Sequence, residues 1–322
     1  MMDWTDRHCR YFHRLLSKRA LLYTEMITTD TLLHGHVPRH LDFNEAEHPL
    51  ALQIGGSEPA DLARAARLGE QWGYDEINLN CGCPSERVQR GAFGACLMAE
   101  PATVADGVKA MRDAVSVPVT VKHRIGLGRD ESYALVRDFV GALHDAGCRV
   151  FVVHARNAWL DGLSPKENRE VPPLRYAVAH RLKADFPGAT IVLNGGLATL
   201  DDAIDASCGL DGAMLGRAAY HDPWLLAQVD ARVYGEPSQA LRRAEVVERT
   251  IAYASRMRSR GVPLRSIVRH VLGLYHGRPG ARAWRRTLSD ARLLAGADEG
   301  LLREALVAVE RAASHEAPAA AS

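Results

Sequence analysis

Short apolar and β-branched runs alternate with longer stretches whose apolar residues recur at helical spacing through the first two thirds of the chain. Leu21–Met26, Leu50–Ile54, Glu76–Asn80, Val117–Lys122, Val150–His154, Thr190–Asn194 and Gly212–Leu215 read as strands. Asp6–Leu16, Pro59–Trp72, Thr103–Val115, Ser132–Ala146, Leu174–Asp185 and Leu200–Ser207 read as amphipathic helices. Strand, helix, strand at this spacing means βαβ units and a parallel sheet. Seven such strands fall one short of a (β/α)8 TIM barrel. The missing first strand belongs ahead of Asp6–Leu16, where only Met1 and Met2 stand. A barrel lacking one stave exposes two strand edges, which is costly. Residues upstream of Met1 are therefore expected to complete it, Met1 being an internal start. An open, doubly wound sheet is the alternative.

The alternation ends after Gly235. Leu241–Arg258, Pro263–Tyr275, Ala281–Ser289 and Glu299–Ala313 read as four helices with short breaks, a small C-terminal helical bundle. The expected organisation is a barrel over residues 1–235, the bundle over 236–316 and a disordered tail over 317–322.

Charge separates the two parts further. The 322 residues carry 40 basic and 39 acidic side chains, a net of +1, which argues against wholesale coating of a polyanion. Glu236 to Ser322 holds 15 basic against 9 acidic residues, every basic one an Arg. Such a module suits an anionic partner, although a solvated helical surface accounts for the same charge. No run of 18 apolar residues occurs, and the start has no signal-peptide pattern, so a cytoplasmic protein without membrane association is expected. The six cysteines are expected as free thiols. Cys81 and Cys83 are too close for a zinc knuckle and no second pair completes one, so no metal is expected.

In a barrel, functional residues sit at the C-terminal strand ends. Those ends read Met26, Gln53, Asn78 with Asn80, Lys122, His154, Asn194 and Gly216. Asn194-Gly195-Gly196 and Gly216-Arg217 follow the last two strands, where glycine backbone and an Arg suit a phosphate group. Lys122 and His154 suit one electron-rich ligand, although each alone is compatible with a structural role. Cys83, in Asn80-Cys81-Gly82-Cys83-Pro84-Ser85, is held extended by the proline after it. A free cysteine thiol, with a pKa of about 8.5, is mostly protonated near neutral pH and able to act as a proton donor.

Taken together these segments resemble the dihydrouridine synthases that act on tRNA. The resemblance rests on Met1-Met2-Asp3-Trp4-Thr5-Asp6-Arg7, Tyr23-Thr24-Glu25-Met26, Leu52-Gln53-Ile54-Gly55-Gly56, Asn78–Ser85, Val121-Lys122-His123-Arg124, His154-Ala155-Arg156, Asn194-Gly195-Gly196 and Gly216-Arg217. Leu163–Arg169 and Ala281–Arg286 are similar to the A subfamily. The resemblance implies flavin mononucleotide (FMN) as cofactor, NADPH as reductant, and uridines at positions 20 and 20a of the tRNA D-loop as substrate. It implies Gln53, Lys122 and His154 at the flavin ring, and Asn194, Gly195, Gly196, Gly216 and Arg217 at its phosphate. It implies Cys83 as the catalytic acid, and Asn80, Lys166, Arg169, Arg282 and Arg285 at tRNA. The family's first strand ends in an Ala-Pro pair whose backbone helps hold the flavin; Met1 and Met2 are what this sequence offers next to that place. Cys81 receives no role. tRNA is the expected partner of a monomeric enzyme. A flavin barrel reductase of a small dihydroorotate- or enoate-type substrate, and a catalytically impaired RNA-binding protein, are the alternatives.

Overall fold

β-Branched and apolar runs build seven parallel strands: β1 (Leu22–Thr28), β2 (Leu50–Gly55), β3 (Glu76–Cys81), β4 (Val119–Arg124), β5 (Val150–His154), β6 (Thr190–Asn194) and β7 (Gly212–Met214). The computed structural model describes residues 1–85, 91, 93–238 and 240–316. Among these residues the strands lie side by side in sequence order, each parallel to the next. A doubly wound sheet would reverse its order at a switch point; an unbroken order with helical crossovers is that of a barrel. The open-sheet alternative is thereby set aside. Strands β5 and β6 begin and end as the sequence predicts. Strand β4 starts later than expected, after Pro118, which has no N–H to give to a ladder. Met1 and Met2 carry no strand.

Helix starts follow local chemistry. Pro59 and Pro101 occupy first turns, where a missing N–H costs nothing. Thr199 and Asp202 form a capping box ahead of Leu200–Ala206. Side chains alternate along each strand. Ile77, Leu79 and Cys81 join the buried apolar cluster shared with the helices, while Glu76, Asn78 and Asn80 take the opposite face.

Contacts divide the chain into two units. The first holds Met1–Met2, Leu21–Phe43 and His48–Gly216, and so the whole sheet. The second holds Asp3–Ala20, Asn44–Glu47 and the chain from Arg217 onward. The division expected after Gly235 falls inside this second unit, and the helix expected as the barrel's first belongs to it. Side-chain chemistry gives the reason. Asp6 caps helix Arg7–Arg14 by accepting from the N–H groups of His8 and Cys9, and its carboxylate also pairs with Arg269 at 2.7 Å and His270 at 3.0 Å. Arg10 and Glu47 form a buried ion pair at 2.7 Å. Tyr11 stacks on Tyr253 and Trp4 on Tyr220.

Helices Arg243–Arg258, Ala281–Ser289 and Gly300–Glu316 carry this second unit. The predicted helix Pro263–Tyr275 holds only over Leu264–Val268 and continues as turns toward Gly277, whose φ is +67°. The expected tail over 317–322 lies outside the described residues. Among the described residues no helix is long and apolar enough to cross a membrane.

Candidate active site

Sheet register gathers the sequence-predicted residues of the first unit. Gln53 pairs with Asn78, and Asn78 with Thr120. Asn80 pairs with Lys122. Arg124 pairs with His154, His154 with Asn194, and Asn194 with Met214. Alternation turns these side chains toward the face away from the helices.

Lys122 is half-buried, and among the described residues its Nζ has no hydrogen-bond or ion-pair partner. Burial, with the Arg124 charge adding to it and Cys83 opposing, pushes its pKa down to about 7. His154 is buried and its ring makes no hydrogen bond among the described residues. Burial first, then the charges of Arg124 and Lys122, hold it well below the usual histidine range, so its imidazole is neutral. Gln53 differs, because both ends of its amide are already engaged, with Asn78 at 2.9 Å and Asn80 at 2.9 Å. An amine and a neutral imidazole on the neighbouring strands β4 and β5, with no hydrogen-bond or carboxylate partner among the described residues, fit an electron-rich ring such as a flavin.

The Cys83 loop is gripped from two sides. Asn80 Oδ1 accepts from the backbone N–H groups of Gly82, at 3.1 Å, and Cys83, at 3.0 Å. Arg124 Nε donates to the Gly82 carbonyl at 3.1 Å. Arg124 is itself buried, yet among the described residues it meets no carboxylate; its other bonds go to the carbonyls of Asn157 and Asn168. Burial, partly offset by Cys83 and reinforced by Arg169 and Arg156, pushes it down to about 9. Cys83 is half-buried, with Sγ 3.6 Å from Ser85 Oγ. Cys81 instead lies fully buried on the helix side, and burial pushes its thiol far above the ordinary range.

Asn194 Nδ2 donates to the Met214 carbonyl at 2.7 Å, which ties β6 to β7. Gly195 and Gly196 follow with φ of +111° and +69°. A Cβ on Gly195 would stand 2.5 Å from His154 Cδ2, so only glycine lets this loop lie against the imidazole. Tyr176 donates its hydroxyl to the Gly195 carbonyl at 2.7 Å. A Cβ on Gly216 would stand 3.4 Å from the Met1 sulfur, so Met1 lies beside the second predicted phosphate loop, while Met2 is exposed. The bare glycine backbone and absence of an acidic side chain within Asn194–Gly196 fit a phosphate group. Arg217 falls in the second unit, where it opens helix Arg217–His221.

Lys166 and Arg169 are exposed on the loop after β5. That loop is ordered by Asn168, a residue the sequence did not single out. Fully buried, its side chain accepts from Trp159 N–H and donates to the carbonyls of Trp159 and Leu163. Arg282 and Arg285 are exposed in the second unit, on the helix anchored by buried Trp284 and Leu288, and have no ion-pair partner among the described residues. Besides Asn168, sequence reasoning gave no role to Arg124, Glu76 or Thr120. A charged residue opening the apolar run Glu76–Asn80 was the one available signal for Glu76.

Known proteins match along nearly the whole length. The family model described as dihydrouridine synthase (Dus) matches residues 1–313. A protein of Pseudomonas aeruginosa named tRNA-dihydrouridine(20/20a) synthase is 58% identical over 289 residues, covering 90% of this chain and 87% of its own. A protein of Vibrio parahaemolyticus with the same name is 53% identical over 312 residues, covering 97% and 95%. Among solved structures, a 2-naphthoyl-CoA reductase in complex with 2-naphthoyl-CoA shares the fold with a TM-score of 0.53 and 14% identity, covering 73% of this chain and 47% of its own. On the family match and these identities, the chain belongs to the dihydrouridine synthase family.

Proposed function

We propose that this protein reduces uridine to 5,6-dihydrouridine in tRNA, at positions 20 and 20a of the D-loop, with FMN bound in the barrel and NADPH as reductant. The names of its curated relatives support the substrate and positions. The observation that carries the chemistry is the half-buried Cys83 in the loop just after β3, a loop gripped by Asn80 and Arg124.

Reduction of the uracil C5=C6 bond needs hydride at C6 and a proton at C5. A flavin held by Gln53, Lys122 and His154 would supply the hydride chemistry, with NADPH as the source of the electrons. Cys83 supplies the proton to C5 from its thiol, and the grip on its loop fixes where that proton is delivered. Lys122 and the neutral His154 are the donors left over to hold the flavin ring, Lys122 also offsetting negative charge gathered there. Gln53 completes that set with the N–H its neighbours leave unused. Asn194, Gly195, Gly196 and Gly216 are assigned to the phosphate, with Met1 and Met2 beside them and, by the family resemblance, Arg217. A base inside folded tRNA is unreachable, so the target uridine must turn outward before reduction. Asn80, Lys166 and Arg169 in the first unit, and Arg282 and Arg285 in the second, are assigned to tRNA.

The test is direct. Purified protein should carry a flavin absorbance spectrum, and NADPH-reduced protein should be reoxidised by unmodified tRNA far faster than by small enones. The product tRNA should have gained two hydrogens at each of positions 20 and 20a. Faster reoxidation by an enone would make the protein a small-molecule reductase. Absence of flavin together with tight tRNA binding would make it an RNA-binding protein without catalysis.

A further inference from the structure

A chain of hydrogen bonds crosses β2, β3 and β4 on the face away from the helices. It starts at a carboxylate and ends at the Cys83 loop. Glu76 Oε1 accepts from the hydroxyls of Thr120, at 2.6 Å, and Tyr23, at 2.7 Å. Thr120 Oγ1 accepts from Asn78 Nδ2 at 2.8 Å. Asn78 Oδ1 accepts from Gln53 Nε2, and Gln53 Oε1 accepts from Asn80 Nδ2, both at 2.9 Å. Asn80 Oδ1 then faces the N–H groups of Gly82 and Cys83. All five side chains between Glu76 and the loop's backbone, counting Glu76 itself, are buried.

The direction of this chain follows from its ends. Glu76 Oε1 accepts from both hydroxyls that reach it, the backbone N–H groups of the loop can only donate, and a hydroxyl has one proton to give. Thr120 directs that proton at Glu76, so toward Asn78 it can only accept. Asn78 must then present its NH2 to Thr120 and its carbonyl to Gln53. The same constraint passes through Gln53 to Asn80, whose carbonyl oxygen is left for the loop. Were the polarity reversed, Asn80 would turn its NH2 toward two backbone N–H groups, and the grip on the loop would be lost. Tyr23 bonds the same oxygen of Glu76 and its hydroxyl also meets Thr120, but none of the bonds from Thr120 through Asn78 and Gln53 to Asn80 passes through it.

We propose that Glu76, at the start of β3, is a positioning residue that fixes the polarity of the Thr120–Asn78–Gln53–Asn80 relay and thereby orients the loop carrying Cys83. As a statement about catalysis this rests on the function proposed above; as a statement about the Cys83 loop it does not.

The test compares two variants that each remove one hydroxyl from the same Glu76 oxygen. Thr120→Val cuts the relay; Tyr23→Phe leaves it whole. The readouts are the rate of iodoacetamide alkylation at Cys83, followed by peptide mapping so that Cys96 and Cys208 do not contribute, and the kcat and KM for tRNA. Thr120→Val is expected to raise the alkylation rate and lower kcat each about tenfold, the worth of roughly one hydrogen bond, with KM for tRNA unchanged. Glu76→Gln, whose amide is able to donate to Thr120 and reverse the chain, should behave like Thr120→Val. Thr120→Ser should restore wild-type behaviour, and Tyr23→Phe should match wild type throughout. Equal effects from Thr120→Val and Tyr23→Phe would mean that Glu76 is only a buried acceptor, and the relay would be overturned. An unchanged alkylation rate in Thr120→Val would overturn it too. Alkylation needs no substrate, so it decides the relay even if the wild-type protein fails to reduce tRNA, a failure that would overturn the proposed function alone.

Discussion

Asn168→Ala deletes a single buried side chain and, with it, the scaffold of the loop that displays Lys166 and Arg169. Asn168 accepts from Trp159 N–H at 2.8 Å and donates to the carbonyls of Trp159 at 2.8 Å and Leu163 at 3.2 Å. Each such bond contributes about 1 kcal/mol net, and a buried group left without a partner costs somewhat more, so the loss is about 3 kcal/mol. Water reaching the loosened loop recovers part of this, leaving about 2–3 kcal/mol. The loss falls on local order over residues 157–171, because the surrounding loop is exposed while the sheet beneath is not. Opening of this loop should therefore become about 30- to 150-fold more frequent, at 1.4 kcal/mol per tenfold.

Hydrogen exchange followed by mass spectrometry reads that ratio at the Trp159 amide, and filter binding reads the consequence for tRNA. Exchange should accelerate by the stated factor, tRNA should bind several-fold more weakly at constant salt, and the melting temperature should move little. Asn168→Asp should be at least as severe, since it keeps the acceptor for Trp159 N–H but turns a carboxylate oxygen toward two carbonyls. Unchanged exchange at Trp159, or a large fall in melting temperature without local acceleration, would refute the reasoning.

Three further outcomes are expected. Cys83→Ala should lower reduction of tRNA by about 10²–10⁴-fold, the usual scale for a general acid, while flavin absorbance is retained; near-native turnover would remove Cys83 from the mechanism. Replacing both Arg282 and Arg285 with Ala should weaken tRNA binding and flatten the dependence of log K on log salt by about 1.5, since each lost phosphate contact removes roughly 0.7. An unaltered slope would make this Arg surface a solvated face. Stability should fall as the pH drops from 7 to 5. Burial holds His8 and His123 at about 4, His13 at about 3 and His154 well below 6.5. Between those values and about 6.5 the unfolded chain binds more protons than the folded one, so acid favours unfolding by up to about 1.4 kcal/mol per pH unit per histidine. Glu47 and Glu76, both raised by burial, oppose this but are outnumbered. Urea midpoints at pH 7, 6 and 5 measure the effect, and a midpoint that holds or rises on acidification would contradict it.

The sequence by itself determined the strands, their parallel arrangement and the residues at their C-terminal ends. These are local properties: period-2 runs bounded by turn residues, and helices opened by Pro59, Pro101 and the Thr199 cap. That is why β5 and β6 emerge with the expected limits and why His154 ends its strand, with Lys122 two residues short of the end of β4 and Cys83 two residues past the end of β3. Tertiary structure alone decided who meets whom. Helix Arg7–Arg14 reads as any amphipathic helix, and only the pairing of Asp6 with Arg269 and His270, across more than 260 residues of chain, assigns it to the helical unit. Asn168 and Arg124 read as ordinary polar residues until three loops converge on them. Glu76, Thr120, Asn78, Gln53 and Asn80 come from three strands, and their hydrogen bonds exist because register brings those strands into line. Periodicity along a chain records which face a side chain takes; the partner it finds there depends on a neighbouring strand whose register no local pattern encodes.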